Sequence, residues 1–312
     1  SVVVPSDGNP GPLEETLKAL SEQHLPAIET LVVADDAARH GAGPGALADV
    51  LARYPRVSLL RAGALGDAVA DPDGVAGARN RGLACARGEA VVFLDAGDTL
   101  PPGALAAWHD RLMRAGAAFG FARMRMGERG GLHEGVHERF AGMEAQEGFV
   151  PDAQVAIRLH AHPSAKIFAR AFLERTGITF APGPLSSWGV TIAAATHARR
   201  AIRLAAPDVR IATGSETRQT WRAPLGPRAL EEAVMQAARA ARAPLGPEAI
   251  GRLFLRAVWE KLNHADFSAD PDGPARLEAA APEILDRLAQ GHRITPDPYM
   301  GARLRQIFGL AD

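Results

Sequence analysis

The 312-residue chain predicts an α/β fold, a mainly parallel sheet with helices on both faces, followed by a helical C-terminal extension. Three observations predict it. Short apolar runs that end at aspartates or turn residues alternate with stretches whose apolar residues recur at helical spacing, as a parallel sheet requires. From Pro227 onward only the helical period remains. The composition, 47% apolar and 23% charged, is that of a globular chain long enough to bury a sizeable core.

Val2-Val3-Val4-Pro5 is a buried strand, stopped by the turn-rich Ser6-Asp7-Gly8-Asn9-Pro10-Gly11-Pro12. A strand beginning this early suggests a chain trimmed at its start. Leu13, Leu17 and Leu20 mark a helix that stops before Pro26, and 28–33 is a second strand ending at Asp35-Asp36. The alternation continues with a helix over 46–51, a strand over 57–60, a helix over 75–86 and a strand over 91–94 closed by Asp95. A helix over 102–115 and a strand over 118–124 follow, and residues 127–162, without a clean period, are expected to be loop and excursion. Helices are expected over 165–175, with Gly177 as the stop, and over 190–198. The C-terminal helices, 229–241, 247–262 and 274–288, each open near a proline. The division expected is one α/β domain over 1–222 and a helical extension over 223–312.

With 35 Lys+Arg against 36 Asp+Glu, no global field draws the chain to nucleic acid or anionic lipid. Lysine occurs only at Lys18, Lys166 and Lys261, so the abundant arginine reflects coding bias rather than phosphate binding. The single cysteine, Cys85, excludes an internal disulfide and a cysteine zinc cage, suits a reducing compartment, and is expected as a small buried hydrophobe. No apolar run approaches the roughly 18 residues of a membrane span and no leader is visible, so the expectation is a cytoplasmic protein, free or peripheral at the inner face of the membrane.

In a parallel sheet ligands collect beyond the carboxyl ends of the strands, where Asp7, Asp35 and Asp95 fall. Carboxylates there can accept from a base N–H or a ribose hydroxyl, or hold the metal that neutralises a diphosphate. His133-Glu134-Gly135-Val136-His137 fits the H-E-x-x-H pattern of zinc proteases, but Gly130, Gly131 and Gly135 oppose the helix that would align the two imidazoles.

Several segments together resemble family 2 glycosyltransferases, the inverting enzymes of GT-A fold, over about residues 1–115. They are Val2-Val3-Val4-Pro5 with Leu13-Glu14-Glu15-Thr16-Leu17, Gln23 before Ile28-Glu29, Ala78-Arg79-Asn80-Arg81-Gly82 with Arg87-Gly88-Glu89, and Phe93-Leu94-Asp95. A fainter echo follows in Ala165-Lys166-Ile167-Phe168, Phe172-Leu173 and Gly177-Ile178-Thr179-Phe180. The resemblance implies a UDP-type nucleoside-diphosphate sugar donor, a glycan or lipid-linked acceptor, Mn2+ or Mg2+, and a place in bacterial surface-polysaccharide assembly. It puts Pro5, Asp7, Asp35, Arg79 and Asp95 at nucleotide-binding positions, Asp35 reading the base and Asp95 the ribose or diphosphate side, with Asp98 as a displaced metal ligand.

The departures from the family pattern are specific. Ala34 replaces one of a strand-end aspartate pair, Asp7 an aromatic residue, and Gly97 the second aspartate of the family's D-x-D. An aspartate restored at 97 is expected to recover metal binding if the backbone keeps the family's course. Ser187-Trp188 falls where the family carries an acidic pair that includes its general base, so the catalytic residue is not identified. His160 and His162 lie on the expected acceptor side and are candidates for that base, although such histidines are more often satisfied in the core or at the surface. The alternative reading is a non-catalytic GT-A module that binds a glycan, a nucleotide or a partner enzyme.

Overall fold

Three consecutive valines can be buried together only in a strand covered on both faces, and Val2, Val3 and Val4 are 3%, 0% and 0% exposed. In the computed structural model they form β1 (Val2–Ser6), paired in parallel with β2 (Thr30–Ala34) on one side and β4 (Ala90–Phe93) on the other. The structure describes residues 1–25, 27–34, 44–61, 74–126, 131–132, 148–204, 208–212, 225–264, 267–294 and 302–309. With β3 (Val57–Arg61), β5 (Phe119–Phe121), β8 (Lys166–Ala169) and β9 (Ala201–Arg203), these strands make a seven-stranded sheet in the order β3-β2-β1-β4-β8-β5-β9. Only β8 runs antiparallel to its neighbours, β4 and β5. A second sheet joins β10 (Val209–Ile211), β6 (Met124–Met126) and β7 (Gly131–Leu132).

The helices begin and stop where their sequence allows. Asn9 caps α1 (Pro10–Ser21) by accepting from the Gly11 N–H, prolines occupy its first turn, and Leu13, Leu17 and Leu20 are buried. After α2 (Pro44–Ala52), α3 (Gly74–Cys85) packs on β1 and β2. Gly82 permits that approach, since a Cβ there would lie 2.2 Å from Val3 Cγ1. The helix α4 (Ala104–Ala115) lies on β8 and β5 and buries Trp108 and Leu112.

The contacts divide the chain into two compact units. The first holds Ser1–Pro151, Ala161–Pro182 and the described residues from 198 to 212. The second gathers Asp152–His160, Gly183–His197 and the described residues from 225 onward. Within it, α5 (Ala153–Arg158), capped by Asp152, packs on α7 (Ser186–His197), which packs on α8 (Pro227–Ala238). The helix α9 (Pro247–His264) packs on α8 and on α10 (Gly273–Ala289), and α11 (Ala302–Ile307) packs on α10. Arg256 of α9 satisfies the C-terminal carbonyls of α5, donating to Ile157 and Leu159, and its guanidinium carbon lies 5.4 Å from the Trp188 ring centroid.

Three local expectations are corrected. The helix expected over 165–175 is a strand, β8, followed by α6 (Arg170–Thr176), and Gly177 ends it in the left-handed region at φ 65°. Lys166–Ala169 is strand because both neighbours offer it a ladder, Val91↔Phe168 on one side and Gly120↔Ile167 on the other. The strand expected over 118–124 is broken into β5 and β6, which belong to different sheets. The expected excursion over 127–162 contains β7 and α5, while His133, Glu134 and His137 lie outside the described residues. No helix among the described residues is long and apolar enough to cross a membrane.

Candidate active site

Because β1 and β4 run side by side in parallel, the residues that follow them, Asp7 and Asp95 to Asp98, emerge at the same edge of the sheet. Pro5 is buried within β1, in register with Val33 of β2. Asp7 accepts from the Asn9 N–H at 2.9 Å, a local turn that fixes the chain between β1 and α1. Asp35 lies outside the described residues, and the residue before it, Ala34, pairs with Ser6.

The loop after β4 carries the densest chemistry. Asp95 is fully buried, and its Oδ1 accepts from Arg79 Nη2 at 2.5 Å; Arg79, from α3, is itself 1% exposed. The Arg79 guanidinium also stands 5.2 Å from the Phe180 ring centroid. Asn80 holds Phe180 in place, donating to its carbonyl and accepting from its N–H, each at 2.8 Å. Phe180 in turn meets Phe93 edge-on at 4.8 Å. The Gly177-Ile178-Thr179-Phe180 segment thus locks the arginine beside the aspartate.

Thr16 of α1 clamps the same loop, its hydroxyl accepting from the Gly97 N–H and donating to the Asp98 carbonyl, both at 2.8 Å. Gly97 stands at φ 94°, and a Cβ there would lie 2.9 Å from the Ala212 Cβ. The backbone has therefore left the course an aspartate at 97 would need, and restoring one meets strain rather than a vacant ligand position.

Asp98 is fully buried, and both its oxygens accept hydrogen bonds, Oδ1 from the Ala212 N–H at 2.9 Å and Oδ2 from Ser164 Oγ at 2.6 Å. Ser164 Oγ also accepts from the Asp95 N–H at 3.2 Å, and His162 Nε2 lies 3.7 Å from Asp98 Oδ2. On its other side, His162 Nδ1 accepts from the Ser164 N–H at 3.3 Å and caps the 3-10 turn Pro163–Ala165. The buried Lys166 donates to the His162 carbonyl at 2.9 Å. Burial pushes the Asp98 carboxyl well above its ordinary range and the like charge of Asp95 adds to it, while Ser164, the Ala212 N–H and Arg79 act in the opposite direction.

Asp95, Asp98 and His162 each bring one ligand atom to within 4.8 Å of the others, a spacing and donor set that could hold a divalent ion. Part of the acceptor capacity in this arrangement is already committed to protein donors. Asp95 Oδ1 is engaged by Arg79, and both Asp98 oxygens accept from protein donors. A neutral imidazole whose Nδ1 accepts a hydrogen bond carries its proton on Nε2, the atom that faces Asp98. As arranged, protein groups already compensate the two carboxylates, and an added cation would share Asp95 with Arg79 and face the His162 Nε2 proton.

The sequence reading grouped His160 and His162 on the acceptor side. His162 is instead fully buried in the first unit beside Asp98, whereas His160, 5% exposed, belongs to the second unit. Ser187 and Trp188 are buried in α7 of the second unit, and Cys85, expected inside, is half-buried at the end of α3. Thr16, Ser164 and Lys166 were not singled out by their chemistry. Thr16 and Lys166 fell inside quoted motif segments and Ser164 just outside one, and the partners of Ser164 and Thr16 lie some 66 to 82 residues away.

Residues 1–170 match the family model of Glycosyl transferase family 2. No curated protein sequence matches the chain. Among solved structures, S. aureus TarS 1-349 in complex with UDP-GlcNAc is similar with a TM-score of 0.64 and 17% identity, over 92% of this chain and 82% of that one. The UDP complex of the same protein gives 0.62 and 15%, over 93% and 87%. The mannosyltransferase PcManGT from Pyrobaculum calidifontis, in complex with GDP-Man and Mn2+, gives 0.55 and 19%, over 99% and 82%. At these identities the likeness is one of fold.

Proposed function

The chain belongs to glycosyl transferase family 2, and from that premise we propose that it transfers a sugar from a nucleoside-diphosphate sugar to an acceptor hydroxyl. The observation that carries the proposal is the buried Arg79–Asp95 pair at the carboxyl edge of the sheet, held by Phe180 and Asn80. The pair orders the loop at the strand ends, where the motif register puts the ribose and diphosphate, and its guanidinium offsets the carboxylates that would otherwise repel an anion there. The likeness to structures holding UDP-GlcNAc and GDP-Man supports the donor class.

In this reading Asp35 accepts from the base, Pro5 and Asp7 flank it, and Asp95 serves the ribose or diphosphate side. Residues 1–222 carry the transfer and 223–312 form an appended helical part. The acceptor, a glycan or a lipid-linked sugar in bacterial surface-polysaccharide assembly, attacks the anomeric carbon as the bond to the diphosphate breaks, with inversion. Neither Ser187 nor Trp188 can take the acceptor's proton at neutral pH, so turnover lacks the roughly 10²- to 10⁴-fold that a positioned base supplies, and transfer is slow.

The same buried Ser187 and Trp188, and the glycine at 97, favour a second reading, a module that binds nucleotide or glycan without turnover. Calorimetric titration with UDP, beside an assay for UDP-GlcNAc consumption, separates the two. Binding that Asp35→Ala weakens by about tenfold, with slow donor consumption, is the expected result. Binding with no consumption above background supports the second reading, and absence of any nucleotide binding rejects the first.

A further inference from the structure

We infer that this centre handles its nucleotide without a divalent cation, the Arg79 guanidinium supplying the positive charge that an ion would otherwise bring to the Asp95–Asp98 pair. The inference rests on the nucleotide-binding reading above and deepens it.

Two buried carboxylates so close together require compensation, and the protein provides it from its own groups. Arg79 neutralises Asp95 directly at 2.5 Å. Asp98 receives a backbone N–H, a serine hydroxyl and the facing Nε2 edge of His162, whose carbonyl is in turn held by Lys166. These donors sit on α3, on the turn before β8 and just after β10, so the loop is gripped from separate elements. An ion bound to Asp95 would lie beside the Arg79 cation, which is fixed there at 1% exposure, and like-charge repulsion would oppose it.

The backbone argues the same way. The loop residue that would extend another carboxylate is Gly97, where a left-handed φ and a Cβ 2.9 Å from the Ala212 Cβ would strain any side chain. Thr16 fastens both flanks of that glycine, so the loop is set for direct protein contacts rather than for an ion with an open coordination sphere. Arginine suits the exchange because it stays charged and its planar fork matches a carboxylate.

The test has two arms on the full chain. Free Mn2+ is titrated with wild-type protein by electron paramagnetic resonance, without nucleotide, and UDP is titrated calorimetrically in EDTA and in excess Mn2+. Expected are an unchanged free-Mn2+ signal and UDP affinities that agree within about twofold between the buffers. One Mn2+ per chain, lost in Asp98→Asn, or a rise in UDP affinity of about tenfold with Mn2+, would overturn the inference. Arg79→Gln should acquire Mn2+ binding; a folded variant that binds UDP as wild type does, without Mn2+, would remove Arg79 from this role. Where that variant fails to fold, the wild-type titrations decide. If UDP binds in neither buffer, the nucleotide reading falls, and the Mn2+ arm still decides whether the carboxylates accept an ion.

Discussion

Replacing Asp98 with asparagine should stabilise the protein. The wild-type carboxylate is fully buried beside Asp95, with ligand atoms no more than 4.8 Å apart. At that spacing two unit charges repel by roughly 3 kcal/mol at an effective dielectric constant of about 20, an upper figure because Arg79 offsets part of it. Asparagine keeps the Oδ1 bond from the Ala212 N–H and reverses the serine bond, its Nδ2 donating to Ser164 Oγ, while turning a donor toward His162 Nε2 across the wider 3.7 Å contact. The loss is charge assistance in two hydrogen bonds, about 1 kcal/mol each. The net gain is on the order of 1 kcal/mol at neutral pH, which corresponds to about 1–2 °C in Tm for a chain of this length. The pH dependence fixes the cause. A carboxyl whose folded pKa is raised above its ordinary 3.8 binds more protons folded than unfolded, so wild type loses stability as pH rises from about that value toward the folded pKa. The gap between variant and wild type should open across that window and then level off. Chemical denaturation of both proteins at a series of pH values measures it. A variant less stable than wild type at neutral pH, or a gap that ignores pH, would refute the account.

Lys261, buried on α9, has its pKa lowered to about 8 by desolvation, against the opposing pull of Glu260. Between about pH 8 and its ordinary 10.5 the unfolded chain holds the proton that the folded one lacks, so stability rises with pH there, by about 3 kcal/mol at most, and Lys261→Met should abolish the slope. With only three lysines and two tyrosines in the chain, that slope is readable in denaturant titrations from pH 7 to 10.5. Gly97→Asp should cost about 2 kcal/mol or more, from its positive φ and the Ala212 contact, and should not acquire Mn2+ affinity; normal stability with tight Mn2+ binding would show that the loop can re-form. Gly82→Ala should cost roughly 1–3 kcal/mol by forcing Val3 away from α3, and an unchanged urea midpoint would contradict the packing described. Asn80→Ala should lose about 2 kcal/mol with its two bonds to Phe180, and hydrogen exchange at the Phe180 amide should accelerate.

The parts of the fold that declare themselves locally were legible. Val2 to Val4 and Val91 to Phe93 are apolar runs bounded by turn residues, and Gly177 marks a helix end by its freedom to turn left-handed. Where tertiary pairing decides, the pattern misled. Lys166–Ala169 is four residues long, and the four-residue step from Phe168 to Phe172 imitates a helix face until two neighbouring strands claim it. The site was half legible for the same reason. Asp95, Asp98 and Arg79 sit in recognisable segments, whereas His162 and Ser164 reach Asp98 only through the placement of β8. Nor did any local signal show that α7 groups with the C-terminal helices, because that association joins segments far apart in the chain.

The insertion of β8 between β4 and β5 also orders events during synthesis. The strands β1 to β4 are complete once residue 93 has been made, but the outer edge of β4 finds its partner only with residues 166–169. At about 5–20 residues per second, the roughly seventy intervening residues keep that edge unpaired for some 4 to 14 s. Such an edge is a template for pairing with other chains. His162 and Ser164 arrive immediately before the strand that closes it, so the nascent chain seals its aggregation-prone edge and supplies the partners of Asp98 in one step.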